Sequence, residues 1–261
     1  MMFDASLLSR AIVFNGTGST MLKVRRYGAA RDLFAGALQT FQLGSAAARG
    51  GEESQATRML AAATAIGQAE NQLALAAASS VEWAPAMDSE AGLRREEPSL
   101  PLLVDVPFKL QLPTAGEDDT ETSLHYFDLS IAKVLFNVGL CHQLMQRHDA
   151  EVPSHYHMSS ASLANVPDSS ETLFVALAVM NNFAIWCNNN GNGTGLESCI
   201  DQMVHLLDEE SDYPTEDWDG PSLNAIRSNI RLLRGNSSGI LDDSHTKNPE
   251  QEDNCDENAH P

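Results

Sequence analysis

The chain is poor in positive charge: 16 Lys and Arg stand against 36 Asp and Glu in 261 residues, a formal net charge of −20. That balance argues against nucleic acid or an anionic membrane as a main partner, because both bind through clustered cations. Cysteine is scarce too. Cys141, Cys187, Cys199 and Cys255 form no Cys-x-x-Cys pair, which fits a reducing compartment and none of the common zinc frameworks. Long apolar runs are missing: no stretch reaches the eighteen or so uncharged apolar residues that span a bilayer. Met1 to Asn15 also lacks the basic head, apolar centre and small-residue cleavage site of a secretory signal. The expectation is therefore an intracellular protein, cytoplasmic or nuclear, with no membrane segment.

What is present suffices for a core, since 43% of the residues are hydrophobic. The charge is unevenly placed. Residues 1–50 carry six basic and two acidic side chains, a local net of +4, while 166–235 hold eleven acids and three bases, and 236–261 seven and one. The densest acidic runs, at 117–119, 208–210 and 250–257, lie beside Pro, Gly, Ser or Asn. Such runs solvate loops and chain ends.

Leu8, Ile12, Phe14, Gly18, Met21 and Leu22 recur at three- and four-residue steps, and Ala30, Phe34, Ala37, Leu38 and Phe41 repeat the pattern beyond Gly28. This predicts two helices joined at Gly28, with Gly18, Ala30 and Ala37 small enough to let the backbones approach while Phe14, Tyr27 and Phe34 fill the flanks. Residues 52–79 are Ala-rich and read as a long helix; 81–98, with Pro85, Pro98 and Glu96-Glu97, read as a linker. Leu102 to Leu112 then alternates almost throughout, with Leu102, Val104, Val106, Phe108, Leu110 and Leu112 on one side and Asp105, Lys109 and Gln111 opposite; Leu103 is the exception. Period two predicts an extended segment with one buried face. Pro101, Pro107 and Pro113 remove ladder donors, so an arm laid along helices or an edge strand is expected rather than a central strand.

Asp118 with Glu121 forms a candidate capping box before Leu124, Phe127, Ile131, Leu135, Val138 and Met145, a third amphipathic helix. Residues 148–167, rich in Ser and His with Pro153 and Pro167, read as a loop. Asp168 with Glu171 is a second candidate box, opening a helix through Leu173, Leu177, Met180, Ala184 and Cys187. Asn188 to Gly195 reads as a turn or loop, Glu197 to Leu207 as the partner helix, and Ser222 to Leu233 as the last one. Beyond Gly235 apolar residues almost vanish, and a disordered acidic tail is expected over 235–261. The organisation is thus all-α: a helical hairpin and long helix over 5–80, a linker at 81–121 containing the 102–112 arm, further helices over 122–234, and the tail.

The first helix pair resembles the tetratricopeptide repeat, a 34-residue helix-turn-helix unit. Phe14, Gly18 and Met21 fall on its first-helix large, small and aromatic-or-Leu positions, and Tyr27, Ala30, Phe34 and Ala37 on its second-helix positions. Thr17 stands where Leu is usual and Gln42 where the closing Pro is expected. Leu135, Val138, Gly139 and His142 resemble a second first helix whose partner is replaced by the 148–167 loop. Phe183 and Ala184, with Cys199, Met203 and Leu206 following late, resemble a third unit. The order of pairs is also similar to that of a group of uncharacterised algal tetratricopeptide-like proteins. The resemblance implies an array of antiparallel helix pairs with a concave groove for a peptide or partner domain, and so a non-enzymatic scaffold or adaptor without cofactor. Asn15 and Asn137 lie on first helices near the small positions, where some members of the family use Asn to clamp peptide backbone, and Asn181 is a further partner-binding candidate; the alternative is an Asn that bonds a neighbouring helix or is merely exposed. Arg227 and Arg231, opposite the apolar stripe of the last helix, are candidates for an acidic segment or for internal pairing with 208–219. The groove could also be filled permanently by another chain or by the 102–112 arm.

Other chemistry finds little support. His142, His148, His155 and His157 with Cys141 are zinc-capable donors, yet their spacing matches none of the common patterns, which leaves a metal-dependent enzyme as the minor alternative. Gly191 to Gly195 and Asn15 to Gly18 lack the Walker or dinucleotide context. No Gly-x-Ser-x-Gly elbow occurs. The sequons at Asn15, Asn192 and Asn236 mean little without a secretion signal.

Overall fold

The structure, a computed structural model, describes residues 5–46, 67–72, 101–111, 120–145, 151–164, 166–209 and 220–242. Among these the fold is all-α: α1 (Ala5–Lys23), α2 (Tyr27–Ala46), α3 (67–72), α4 (Thr120–Leu144), α5 (Glu151–Leu163), α6 (Ser170–Asn189), α7 (Gly193–Glu209) and α8 (Gly220–Asp242). The pairs α1/α2, α4/α5 and α6/α7 pack internally, and α2 on α4, α5 on α6 and α7 on α8 join one pair to the next. A second series of contacts runs α1 to α4, α4 to α6 and α6 to α8. These four helices therefore share a layer, and α2, α5 and α7 back it. The 81–98 linker, the 243–261 stretch and most of the Ala-rich 52–79 segment lie outside the described residues.

The α1/α2 pair follows from its small residues. Phe14 and Phe34 are both fully buried, and a Cβ on Gly18 would meet the Phe34 ring at 2.7 Å. Glycine is the residue that admits that ring without displacing a backbone. The reversal, however, is not at Gly28, which lies inside α2. It is made by Arg25, whose φ of 60° is left-handed, with Arg25 N–H donating to Leu22 O and Arg26 N–H to Met21 O, both at 2.9 Å. This is the Schellman closure, and it places a side chain where glycine is favoured. Arg25→Gly is accordingly expected to raise stability by about 1 kcal/mol, read as a higher urea midpoint with unchanged slope.

Three further local expectations are corrected. Residues 151–163 form helix α5 rather than a loop. Pro153 is tolerated because it sits in the first turn, where backbone N–H groups have no intrahelical acceptor. Val152, Tyr156, Ser159 and Leu163 then fall on one buried face, and Ser159 Oγ donates to Ala132 O of α4 at 2.8 Å. The cap of α6 is Ser169, not Asp168: its Oγ accepts from Thr172 N at 3.1 Å. Asp118 of the other candidate box lies outside the described residues. Finally, α8 extends past Leu233 and Gly235 to Asp242. An established helix lengthens at one backbone bond per residue without needing new burial, which apolar content alone does not register.

The 188–195 stretch is tighter than a loop. Gly191 adopts φ +68°, and Asn192 Oδ1 accepts from Gly195 N at 3.1 Å as the N-cap of α7. Among the described residues one helix is long and apolar enough by mean hydropathy to suggest a membrane span, although Glu171, Asn181 and Asn182 interrupt its apolar run. Ser170–Asn189 has the length and mean hydropathy, 1.3, of a membrane span, but 67% of that window is buried inside the fold and it packs on α4, α5, α7 and α8. Its apolarity reflects a central position in the core.

Candidate functional site

Residues 101–111 contain no helix and run across the layer formed by α1, α4, α6 and α8. The segment is held by asparagines. An extended residue presents its own N–H and C=O on the same edge, and a carboxamide carries one acceptor beside one donor, so a single Asn can bond both groups of one residue. Asn229 on α8 does this at Leu102, accepting from its N–H at 2.8 Å and donating to its C=O at 2.6 Å. Asn182 on α6 does the same at Val104, at 2.9 and 3.0 Å. Asn137 on α4 repeats it at Phe108, with both bonds at 2.9 Å. Arm N–H groups can only donate, which fixes the orientation of all three amides.

Two more asparagines complete the network. Asn15 on α1 donates to Phe108 O at 2.9 Å and accepts from Asn137 Nδ2 at 3.0 Å. Asn181 donates to Leu102 O at 3.3 Å and to Asn182 Oδ1 at 3.1 Å, and accepts from Asn229 Nδ2 at 2.8 Å. All five have 0% relative exposure. A buried amide without partners is costly, so these side chains are stable only because the segment and one another satisfy them. Behind Asn182, Gln143 Nε2 donates to the Asn182 backbone carbonyl at 3.2 Å, and Gln143 Oε1 accepts from Tyr156 Oη at 2.6 Å. At the far end Tyr126 Oη donates to Gln111 O, and burial pushes the Tyr126 phenol above its usual range, keeping it a donor.

The side chains of the segment obey a different period. Val104, Pro107 and Leu110 are buried, whereas Leu102 and Val106 are 59% and 49% exposed, so the expected single apolar face of alternate residues is corrected; Leu112 lies outside the described residues. Burial at every third residue is the period of the polyproline conformation, and Pro107 occupies one of those positions. Prolines at 101 and 107 cost nothing here because the N–H donors in use belong to 102, 104 and 108. Phe108 is anchored edge-on by Phe136, with ring centroids 5.0 Å apart, and by Phe174 at 5.8 Å. Asp105 and Lys109 point outward into solvent.

Of the residues singled out from sequence, Asn15, Asn137 and Asn181 therefore converge on one groove. Arg227 and Arg231 do not. Each stands two residues from Asn229, which on a helix is the opposite side, and both are exposed. Asn182 and Asn229 were missed. The signal that could have found Asn229 is its phase: Leu223, Ile226, Ile230 and Leu233 define the buried stripe, and Asn229 lies within it.

The histidine region offers no comparable constellation. Among the described residues no group of three His, Cys, Asp or Glu side chains is placed to hold a metal ion. Buried His142 lies 3.1 Å from Glu151 Oε2 and stacks on His155 at 5.2 Å, while His148 lies outside the described residues. Burial pushes the Cys141 thiol up to about 12, and the Cys199 thiol is raised by its hydrogen bond with the Cys187 thiol and by burial. Thiols held protonated are poor nucleophiles. Cys141 is expected to resist alkylation at pH 8 until the protein unfolds, as read by mass spectrometry after a timed pulse. Because its folded pKa lies above the unfolded value near 9, its contribution to stability is complete below pH 9 and falls progressively between pH 9 and 12.

The groove thus holds an extended polypeptide by its backbone through five buried amides, and by its side chains through the burial of Val104, Pro107 and Leu110 and the ring contacts of Phe108. No protein-family model, curated protein or solved structure matches this chain, so that chemistry alone carries the functional reading.

Proposed function

We propose that the protein is a non-catalytic interaction scaffold, a tetratricopeptide-like array of antiparallel helix pairs whose inner groove binds extended polypeptide. The observation that carries this reading is the Asn15, Asn137, Asn181, Asn182 and Asn229 network, which bonds backbone N–H and C=O groups and no side chain of the bound segment. Backbone readout is a general way to hold a peptide, whatever chain supplies it. In the state seen here the supplier is the protein's own 101–111 segment. Its presence also favours a second reading, a structural subunit whose groove is permanently self-filled.

Exchange separates the two. Protease sites inserted at 90–97 and at 112–119 would let the full-length protein fold before the arm is cut from its tethers. On the scaffold reading, a fluorescent 101–111 peptide then replaces the cut arm and its anisotropy rises, and Asn182→Leu abolishes the rise. A cut arm that never exchanges over days, with the protein still folded, supports the self-filled subunit and rejects the scaffold.

A further inference from the structure

The groove's own occupant reveals what else would fit it. Three amides accept the N–H groups of residues 102, 104 and 108, and the buried side chains are those of 104, 107 and 110, with the aromatic ring of 108 edge-on to both Phe136 and Phe174. Between 104 and 110 the other positions, 105, 106 and 109, are exposed, while Leu103 just before them is half-buried against the core. No net charge contacts the segment through the Asn network, and the buried Lys133 is neutralised by Glu171 at 2.6 Å. Resting on the scaffold reading above, we propose that the groove selects, in a partner protein, an extended segment of the form Val-x-x-Pro-Phe-x-Leu.

Each element has a physical warrant. Position 107 must do without a backbone donor, and proline there also pre-sets the extended conformation, which lowers the ordering cost of binding. Position 108 must supply both N–H and C=O to Asn137 while its ring fills an aromatic slot, so an aromatic directly after proline is selected. Positions 104 and 110 are buried in the apolar core, where a charge would be stranded. Positions 105 and 109 are exposed, and among the described residues no hydrogen bond or ion pair engages their side chains. Within the chain only Pro107 is followed by an aromatic residue, so the acidic stretch after Asp242 does not fit the site.

The tethered arm sets the threshold for such a partner. A segment joined to its own groove acts at an effective concentration of order millimolar, so a free segment competes poorly until the arm is loosened or cut. The intact chain should accordingly take up a matching peptide far more weakly than the cut chain.

The test uses the full-length protein with the two protease sites, intact and cut, and fluorescent 101–111 peptides. Val104→Asp, Pro107→Asp, Phe108→Ala and Leu110→Asp peptides are expected to bind the cut chain at least about tenfold more weakly than the native sequence, whereas Asp105→Lys and Lys109→Glu peptides stay within about twofold. Equal binding of all six would overturn the selectivity while leaving the scaffold standing. Binding of none would overturn the scaffold itself. The same six substitutions made in the arm of the uncut protein give a second measure, since the side-chain preferences then appear as ordered losses of urea midpoint even without exchange. If two differently tagged intact chains co-purify through exchanged arms, the occupant is a second copy and the partner assignment fails.

Discussion

Asn137→Leu is expected to lower the free energy of unfolding by about 2–5 kcal/mol, measured by urea denaturation. Asn137 makes three hydrogen bonds, accepting from Phe108 N–H and donating to Phe108 O and Asn15 Oδ1. Phe108 O would keep Asn15 as donor. The Phe108 N–H and Asn15 Oδ1 would not be so served, and each stranded buried group costs about 1–3 kcal/mol. An apolar side chain of similar volume cannot repair this, because the partners remain polar. Asn137→Asp provides an internal check. The introduced carboxylate can still accept from Phe108 N–H but faces two oxygens that previously received hydrogens, and burial further disfavours its charge. Its folded pKa is therefore raised above the unfolded value of about 3.9. By linkage, the variant's deficit relative to the native protein is smallest below pH 4 and grows as pH rises through the folded pKa. A deficit independent of pH would show that the side chain is not sequestered against the arm.

Phe136→Ala should cost about 3–5 kcal/mol, a large share of the roughly 5–15 kcal/mol that typical domains possess. The ring is fully buried, lies edge-on to Phe108 and sits 6.0 Å from Tyr156. Truncation therefore opens a cavity facing both the arm and the α4/α5 interface. That interface cannot close over it easily: Tyr156 is pinned by Gln143, and it already lies 3.0 Å from where a Cβ on Gly139 would stand. Because part of the loss is shared with the arm, Phe108→Ala, Phe136→Ala and the double substitution form an informative cycle. Their coupling is expected at about 0.5–1.5 kcal/mol, the usual worth of an aromatic pair. Additive losses would mean that the arm does not occupy its seat in solution.

Both predictions concern contacts between residues far apart in the chain, and there the legibility of the sequence ends. The helices α1, α2, α4, α6, α7 and α8 are visible as three- and four-residue apolar periods. Helix α5 is hidden because His, Ser and a first-turn Pro mask Val152, Tyr156 and Leu163 as a stripe. The arm is legible as extended, since its three prolines forbid both helix and central strand. Its burial period is not, because alternation of apolar residues says nothing about which of them meet a surface. Leu102 and Val106 are apolar and exposed, and Pro107 is buried.

The asparagines mark the boundary most clearly. Sequence alone determined that Asn15, Asn137 and Asn181 stand near small residues on helices with a buried face, because helical phase is a property of neighbours a few positions apart. Only the tertiary structure decided that Asn15 meets Asn137 across 122 residues, that Asn229 reaches Leu102 across 127, and that the groove is filled by the chain itself. Apolar burial needs only the right side of a helix, and periodicity encodes that. A hydrogen bond needs an atom of the right kind within about 3 Å at a suitable angle. That depends on how whole helices stack, which no local stretch of this sequence specifies.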